Sequence, residues 1–162
     1  MSRIPYRVGQ WLPQAKAAGA MFGVDPLDLL AICDRESNGD PNAQSPDGGL
    51  GLFQITRKFH PTFCDMVGPD GVPAWRVPAW NAMYAAALLQ HNVKLFDGVI
   101  DEPLLAAIAS YNASDRRVRE KLRELSRPIT REQIIHALDP LTTGGDYLSD
   151  VLSRRNSYVL AP

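Results

Sequence analysis

The strongest constraint in this sequence is a helix whose two ends are both written out. Asp25-Pro26 gives an N-cap followed by a proline at the first helical position. Asn38-Gly39 supplies a left-handed stop, and Pro41 forbids resumption. Between them, 26-PLDLLAICDRES-37 is predicted as one helix. With Leu29 set at zero and an advance of about 100° per residue, Leu30, Ile32 and Cys33 fall at roughly 100°, 300° and 40°. Glu36 falls at about 340°, inside the apolar arc, and Asp34 near 140°, outside it. The pattern therefore aims Glu36 inward, turns Asp34 away, and leaves Asp40 before Pro41 to shape a turn. An inward carboxylate in the last turn is opposed by desolvation and by the negative end of the helix dipole. Both raise its pKa, as a general acid needs. The plainer reading is that Glu36 caps its helix or pairs with an arginine.

The remaining sequence is mostly helical. An amphipathic segment over 11–22 stops at Gly23. Ser45-Pro46-Asp47-Gly48-Gly49 leads into 50-LGLFQIT-56, a strand or a buried bend. Residues 57–80 carry four prolines and the aromatics Phe59, Phe63, Trp75 and Trp80, and read as a long irregular excursion. Helices are predicted at 81–96, closed by Gly98, and at 103–113, 115–125, 130–138 and 146–158. The expected architecture is mainly α (α+β), one domain over 1–162 with a small non-helical or β lobe around 45–60.

A net charge of −1 provides no global field toward nucleic acid or an anionic membrane. The arginine-rich stretch 116–127 contains Glu120 and Glu124 and reads as a solvated helix with i, i+4 pairs. No apolar run is long enough to span a bilayer, and the first residues lack the apolar core of a secretory signal. Cys33 and Cys64 are expected as reduced thiols. Cys33, His60, Cys64 and His91 are scattered singly, so neither metal nor other cofactor is expected.

The stretch 23–56 resembles the signature region of lytic transglycosylases with the goose-type lysozyme-like fold. The resemblance rests on Glu36-Ser37 closing a helix, Ser45 nine residues on, then Gly48-Gly49 and Gly51-Leu52-Phe53-Gln54. In the same order follow the helix from Asn81, 109-ASYNA-113, and more loosely Thr142…Asp146-Tyr147-Leu148. Departures are Thr56-Arg57 after the motif, Ser110 before Tyr111, Ser114 after Asn112-Ala113, and the long 57–80 excursion.

The resemblance implies cleavage of the MurNAc-β-1,4-GlcNAc bond of peptidoglycan with 1,6-anhydro ends, Glu36 serving as acid and then base. It gives Ser45 and Gln54 the acetamido and lactyl groups as partners, although Gln54 could equally stitch its own loop. Gly49, with Gly48 and Gly51, would let backbone approach the sugar, and Phe53 belongs to the same motif. Tyr111, on a stripe with Leu104 and Ile108, would orient Glu36. Asn112 would bind a sugar amide or cap its helix, and Tyr147 is a looser substrate contact. The rivals are a goose-type muramidase enlisting Asp47 and a non-catalytic glycan-binding or structural module of a phage particle or secretion system. The expected partner is the peptidoglycan glycan strand, with no nucleic acid, no membrane insertion and a monomeric state. Without an export signal, delivery to the wall (the periplasm) by phage lysis, by the virion or by a secretion system is expected.

Overall fold

The computed structural model describes residues 4–68 and 70–158. The chain forms two compact units, one made of Met1–Ala87 with Arg154–Pro162, the other of Leu88–Ser153. Among the described residues the architecture is helical with a single two-stranded sheet.

The first unit contains α1 (Tyr6–Gly9), α2 (Leu12–Phe22), α3 (Pro26–Ser37), β1 (Gly49–Leu50), β2 (Ile55–Thr56) and α4 (Pro61–Asp65). A 3-10 turn follows at Ala74–Arg76, and then the first turns of α5 (Pro78–Phe96). Helix α3 has the predicted ends. The Asp25 carboxylate accepts from Leu27 N–H at 2.8 Å, and Asn38 is left-handed at φ 56°. Asp40 shapes the next turn by accepting from Asn42 N–H at 2.8 Å. Helices α1 and α2 both pack on α3, and every residue from Asp28 to Asp34 is buried.

That burial overturns one expectation. Asp34 does not face away: it is 5% exposed. Its carboxylate accepts from Arg7 Nη2 at 3.1 Å, Arg154 Nη1 at 2.7 Å and Tyr158 Oη at 2.8 Å. A helical wheel assigns one wet side to a helix, but α3 has protein on the Asp34 side too. Burial alone would raise the Asp34 carboxyl; the Tyr158 and Arg154 hydrogen bonds and the charges of Arg154 and Arg7 outweigh it and hold the group below its ordinary value. At the other end of α3, Arg155 pairs with Asp25 at 2.8 Å and with Asp28 at 3.4 Å.

The 57–80 excursion is more ordered than its prolines suggested. Pro61 and Pro78 each open a helix, and Pro73 caps the 3-10 turn, positions where a missing N–H costs nothing. Helix α5 therefore starts at Pro78, not Asn81. The four-residue α1 was not foreseen. In 50–56 the two readings combine: β1 and β2 pair antiparallel, Gly49 with Thr56 and Leu50 with Ile55, around a buried bend.

The second unit contains the remainder of α5, α6 (Pro103–Asn112), α7 (Asp115–Arg123), α8 (Arg131–Leu138), two 3-10 turns and most of α9 (Tyr147–Ser157). Helices α6, α7 and α8 pack on one another around Leu105, Ile108, Val118, Leu122, Ile134 and Leu138. Ser114 caps α7 by accepting from Arg117 N–H at 3.3 Å, and Thr130 opens α8 with a capping box to Gln133. On α7 Arg116 pairs with Glu120 at 3.5 Å, the i, i+4 arrangement expected, and Lys121 pairs at i, i+3 with Glu124, the residue after the helix, at 2.7 Å.

Two measurements probe the α3 charges. Asp34→Ala is expected to lower the unfolding free energy by roughly 2–4 kcal/mol, because it removes three charge-assisted bonds while Arg7 and Arg154 can still reach water; urea denaturation at neutral pH reads the loss. Burial, and then the charge of Asp25, pushes the Asp28 carboxyl up to about 6 despite Arg155. The folded state thus binds this proton more tightly than the unfolded chain, so the group's contribution to stability falls as pH rises from the ordinary carboxylate range through about 6. Asp28→Asn removes that slope, and its stability relative to wild type is expected to increase between about pH 4 and 7.

Candidate functional site

Glu36 occupies the last turn of α3 and is half-buried. Its neighbour Ser37 fastens that helix end. The Ser37 hydroxyl faces the Leu52 carbonyl at 2.8 Å and the Cys33 carbonyl at 3.2 Å, and it accepts from Gly39 N–H at 3.2 Å. Leu52 lies in the bend of the β1–β2 hairpin, so the turn of helix carrying Glu36 is tied directly to the glycine-rich loop. Gly39 sits where a Cβ would collide with the Arg7 carbonyl, and Trp11 Nε1 donates to the Gly39 carbonyl at 2.9 Å. The N-terminal helices thereby close on the stop of α3.

A hairpin with two residues per strand cannot hold itself, and side-chain amides make up the deficit. Asn81 in α5 is fully buried; its Oδ1 accepts from Phe53 N–H at 2.9 Å, and its Nδ2 donates to Trp75 O at 3.1 Å and Leu50 O at 3.4 Å. Gln54 is left-handed at φ 50°, which costs a non-glycine residue about 1–2 kcal/mol. Its Nε2 donates to Gly51 O at 2.9 Å and Ala43 O at 3.3 Å. Gln54 thus does stitch its loop, through its nitrogen. Among the described residues no donor reaches its Oε1.

Ser45 belongs to the same cluster. Its Oγ accepts from Gly49 N–H at 2.9 Å and donates to the Asp47 carboxylate, and Asp47 is exposed. A Cβ on Gly49 would lie 2.6 Å from both Ser45 Oγ and Gln54 Oε1. Phe53 is 1% exposed, its ring in the core and its backbone held by Asn81.

Within the second unit, Tyr111 is half-buried near the end of α6. Asn112 Oδ1 accepts from Thr143 N–H at 2.6 Å, pinning the 143–145 turn instead of capping its own helix. Tyr147 is 1% exposed, and its N–H meets Thr142 Oγ1 at 3.2 Å. Both 1%-exposed rings, Phe53 and Tyr147, offer almost no surface to a ligand.

Cys33 and Cys64 are buried free thiols, and burial pushes the Cys33 thiol up to about 12, which keeps it protonated. Among the described residues no group of three or more His, Cys, Asp or Glu could hold a metal ion, and no helix is long and apolar enough to cross a membrane. In the 57–80 segment Phe63 stacks on Tyr84 at 4.2 Å and Tyr84 Oη meets His60 Nδ1 at 3.2 Å, so its aromatics mainly pin it down. Phe59 is the exception, 70% exposed.

Sequence reasoning turned Asp34 away from the core, read Ser37 only as part of the Glu36-Ser37 pair closing a helix, and saw in Asn81 only the start of a helix. The available signal for Asn81 was an amide inside an otherwise apolar helical run, a group that must find partners once buried.

A helical domain with a glutamate at a helix end, fastened to a glycine-rich hairpin, is the lysozyme-like arrangement. The model of the Transglycosylase SLT domain family matches residues 13–134, and the chain belongs to that family. Among solved structures it is similar to an inactive glutamate-to-glutamine mutant of the lytic transglycosylase Slt from Pseudomonas aeruginosa, with a TM-score of 0.73 and 22% identity. That match covers 91% of this chain and 24% of the other, so this chain spans about a quarter of that enzyme's length.

Gly49→Ala tests the hairpin. The added methyl must displace both Ser45 Oγ and Gln54 Oε1, and the variant is expected to lose roughly 1–3 kcal/mol, read as a lowered thermal midpoint.

Proposed function

We propose that this chain is a peptidoglycan lytic transglycosylase acting on the MurNAc-β-1,4-GlcNAc bond. The observation that carries the reading is the half-buried Glu36 in a helix turn locked by Ser37 to the Gly49–Gln54 hairpin. Membership of the Transglycosylase SLT domain family supports it, as does the inactivity of a glutamate-to-glutamine mutant in the similar Pseudomonas enzyme.

In this mechanism Glu36 begins as the carboxylic acid. It gives its proton to the glycosidic oxygen as the C1–O bond breaks and the leaving sugar departs with a free hydroxyl. The carbonyl oxygen of the muramyl N-acetyl group stabilises the cationic C1. Glu36, now a carboxylate, takes the proton of the same sugar's C6 hydroxyl as O6 bonds to C1. The acid is regenerated, no water is consumed, and a 1,6-anhydro end results. One residue fills both roles, so a second carboxylate is not required, in contrast to most glycoside hydrolases. Ser45 and Gln54 bind the glycan beside it. The domain works as a monomer on the cell wall, reaching it by phage lysis, by the virion or through a secretion system.

Hydrolysis is the alternative, and Asp47 is its candidate second carboxylate. Asp47 is exposed and one of its oxygens accepts the Ser45 hydroxyl. Mass spectrometry of digested sacculi separates the two: anhydro ends are expected, and reducing ends alone would overturn the transglycosylase reading. Glu36→Gln is expected to lower product release by at least about a thousandfold while keeping the wild-type circular dichroism spectrum. Undiminished release would remove Glu36 from the mechanism.

A further inference from the structure

The hairpin contains an asymmetry in its hydrogen bonds. A serine hydroxyl has one proton to give, and Ser45 gives it to Asp47. The Ser45 oxygen also accepts from Gly49 N–H at 2.9 Å, leaving it one lone pair. Gln54 has two amide protons, and both go to the carbonyls of Gly51 and Ala43. Those two carbonyls fix which end of the amide is nitrogen, because oxygen facing them would repel. Gln54 Oε1 is left without a donor among the described residues, although it is not sealed from solvent. Both oxygens lie 2.6 Å from the point a Cβ on Gly49 would occupy, so they converge on one face of β1. The side-chain protons of Ser45 and Gln54 are all engaged within the cluster, so Ser45 Oγ and Gln54 Oε1 keep only lone pairs to offer.

We propose that Asp47 is a positioning residue that takes the Ser45 proton and so makes Ser45 Oγ and Gln54 Oε1 an acceptor-only pair selecting the N–H of a glycan acetamido group. The inference rests on the glycan reading above and deepens it. In that mechanism the carbonyl of the muramyl acetamido group is turned toward C1. Its N–H is the end left over for the protein, and an acceptor pair complements it. Without Asp47 the Ser45 hydroxyl would rotate freely and present a proton as often as a lone pair, losing that complementarity.

The test measures binding to the Glu36→Gln protein, so that turnover plays no part and failure of the enzymatic reading is scored separately by the product analysis. The probe is a purified glycan oligomer of alternating N-acetylglucosamine and N-acetylmuramic acid. Asp47→Ala and Ser45→Ala are each expected to raise its Kd roughly three- to tenfold, with the double variant no weaker than the weaker single one, because Asp47 acts through Ser45. Asp47→Asn retains an oxygen that accepts the hydroxyl and is expected to restore most of the affinity. The second probe is an oligomer whose 2-acetamido groups are replaced by 2-acetoxy esters, which keep the carbonyl and lack the N–H. It is expected to bind more weakly than the amide and to be indifferent to Ser45→Ala. Asp47→Ala leaves the Ser45–Gly49 bond intact, so its spectrum should match that of the parent protein. The proposal is overturned by additive effects of the two alanines, by no effect of Asp47→Ala, by an ester that binds as well as the amide, or by an amide oligomer that does not bind at all.

Discussion

A carboxylate removed from water has to be surrounded by donors, and Asp34 is surrounded by three. They come from Arg7 near the start of the chain and from Arg154 and Tyr158 near its end. Removing such a group's solvation without replacing it would cost several kcal/mol. Helix α3 can therefore be buried along its length only if both ends of the chain fold against it. Arg7 also reaches Asn38, the left-handed stop, and Trp11 holds Gly39. The turn of α3 that carries Glu36 is thus bracketed by Asp34 before it and by Ser37 and the stop after it. Its orientation is set by interactions from distant parts of the sequence, not by helix propensity.

The glycine-rich hairpin follows a different rule. It buries almost no side chain of its own besides Leu50, Leu52, Phe53 and Ile55, and its ladder is too short to be stable alone. What fixes it is the pairing of its backbone groups with side chains. Within the hairpin Asn81 satisfies the Phe53 N–H and the Leu50 carbonyl, Gln54 the Gly51 carbonyl, Ser45 the Gly49 N–H and Ser37 the Leu52 carbonyl. Asn81 and Gln54 also reach the Trp75 and Ala43 carbonyls outside it. Two primary amides and two hydroxyls replace the sheet that a longer loop would need. Gly51 packs against the Trp75 carbonyl and Asn81, so even the approach of α5 is set at backbone distance.

How much of this could be read in the sequence depended on range. Local signals were reliable: Asp25-Pro26, Asn38-Gly39 and Asp40 behave as their chemistry dictates. Proline was ambiguous because the same residue ends one helix and starts the next, which is why α5 begins three residues earlier than its apolar pattern. Asp34 was misjudged because periodicity assumes one dry face, and the partners that make a second dry face lie 27 and 120 residues away. Asn81 was seen as a position in a motif and not as a hub, because its partners are up to 31 residues distant. The motif singled out Glu36, Ser45 and Gln54, but no sequence pattern states which end of an amide faces a carbonyl. Nor does a motif state burial: the rings of Tyr147 and Phe53 are each 1% exposed.

Gln54 holds a conformation that glycine would adopt without strain. Glycine there would relax the backbone and also remove both ties to Ala43 and Gly51, leaving the loop cheaper to form and free to wander. Anyone redesigning this domain for heat resistance by substituting glycine at left-handed positions would choose residue 54 early, and would exchange a defined surface for a soft one. The same side chain is both the source of the tension and the brace that holds it.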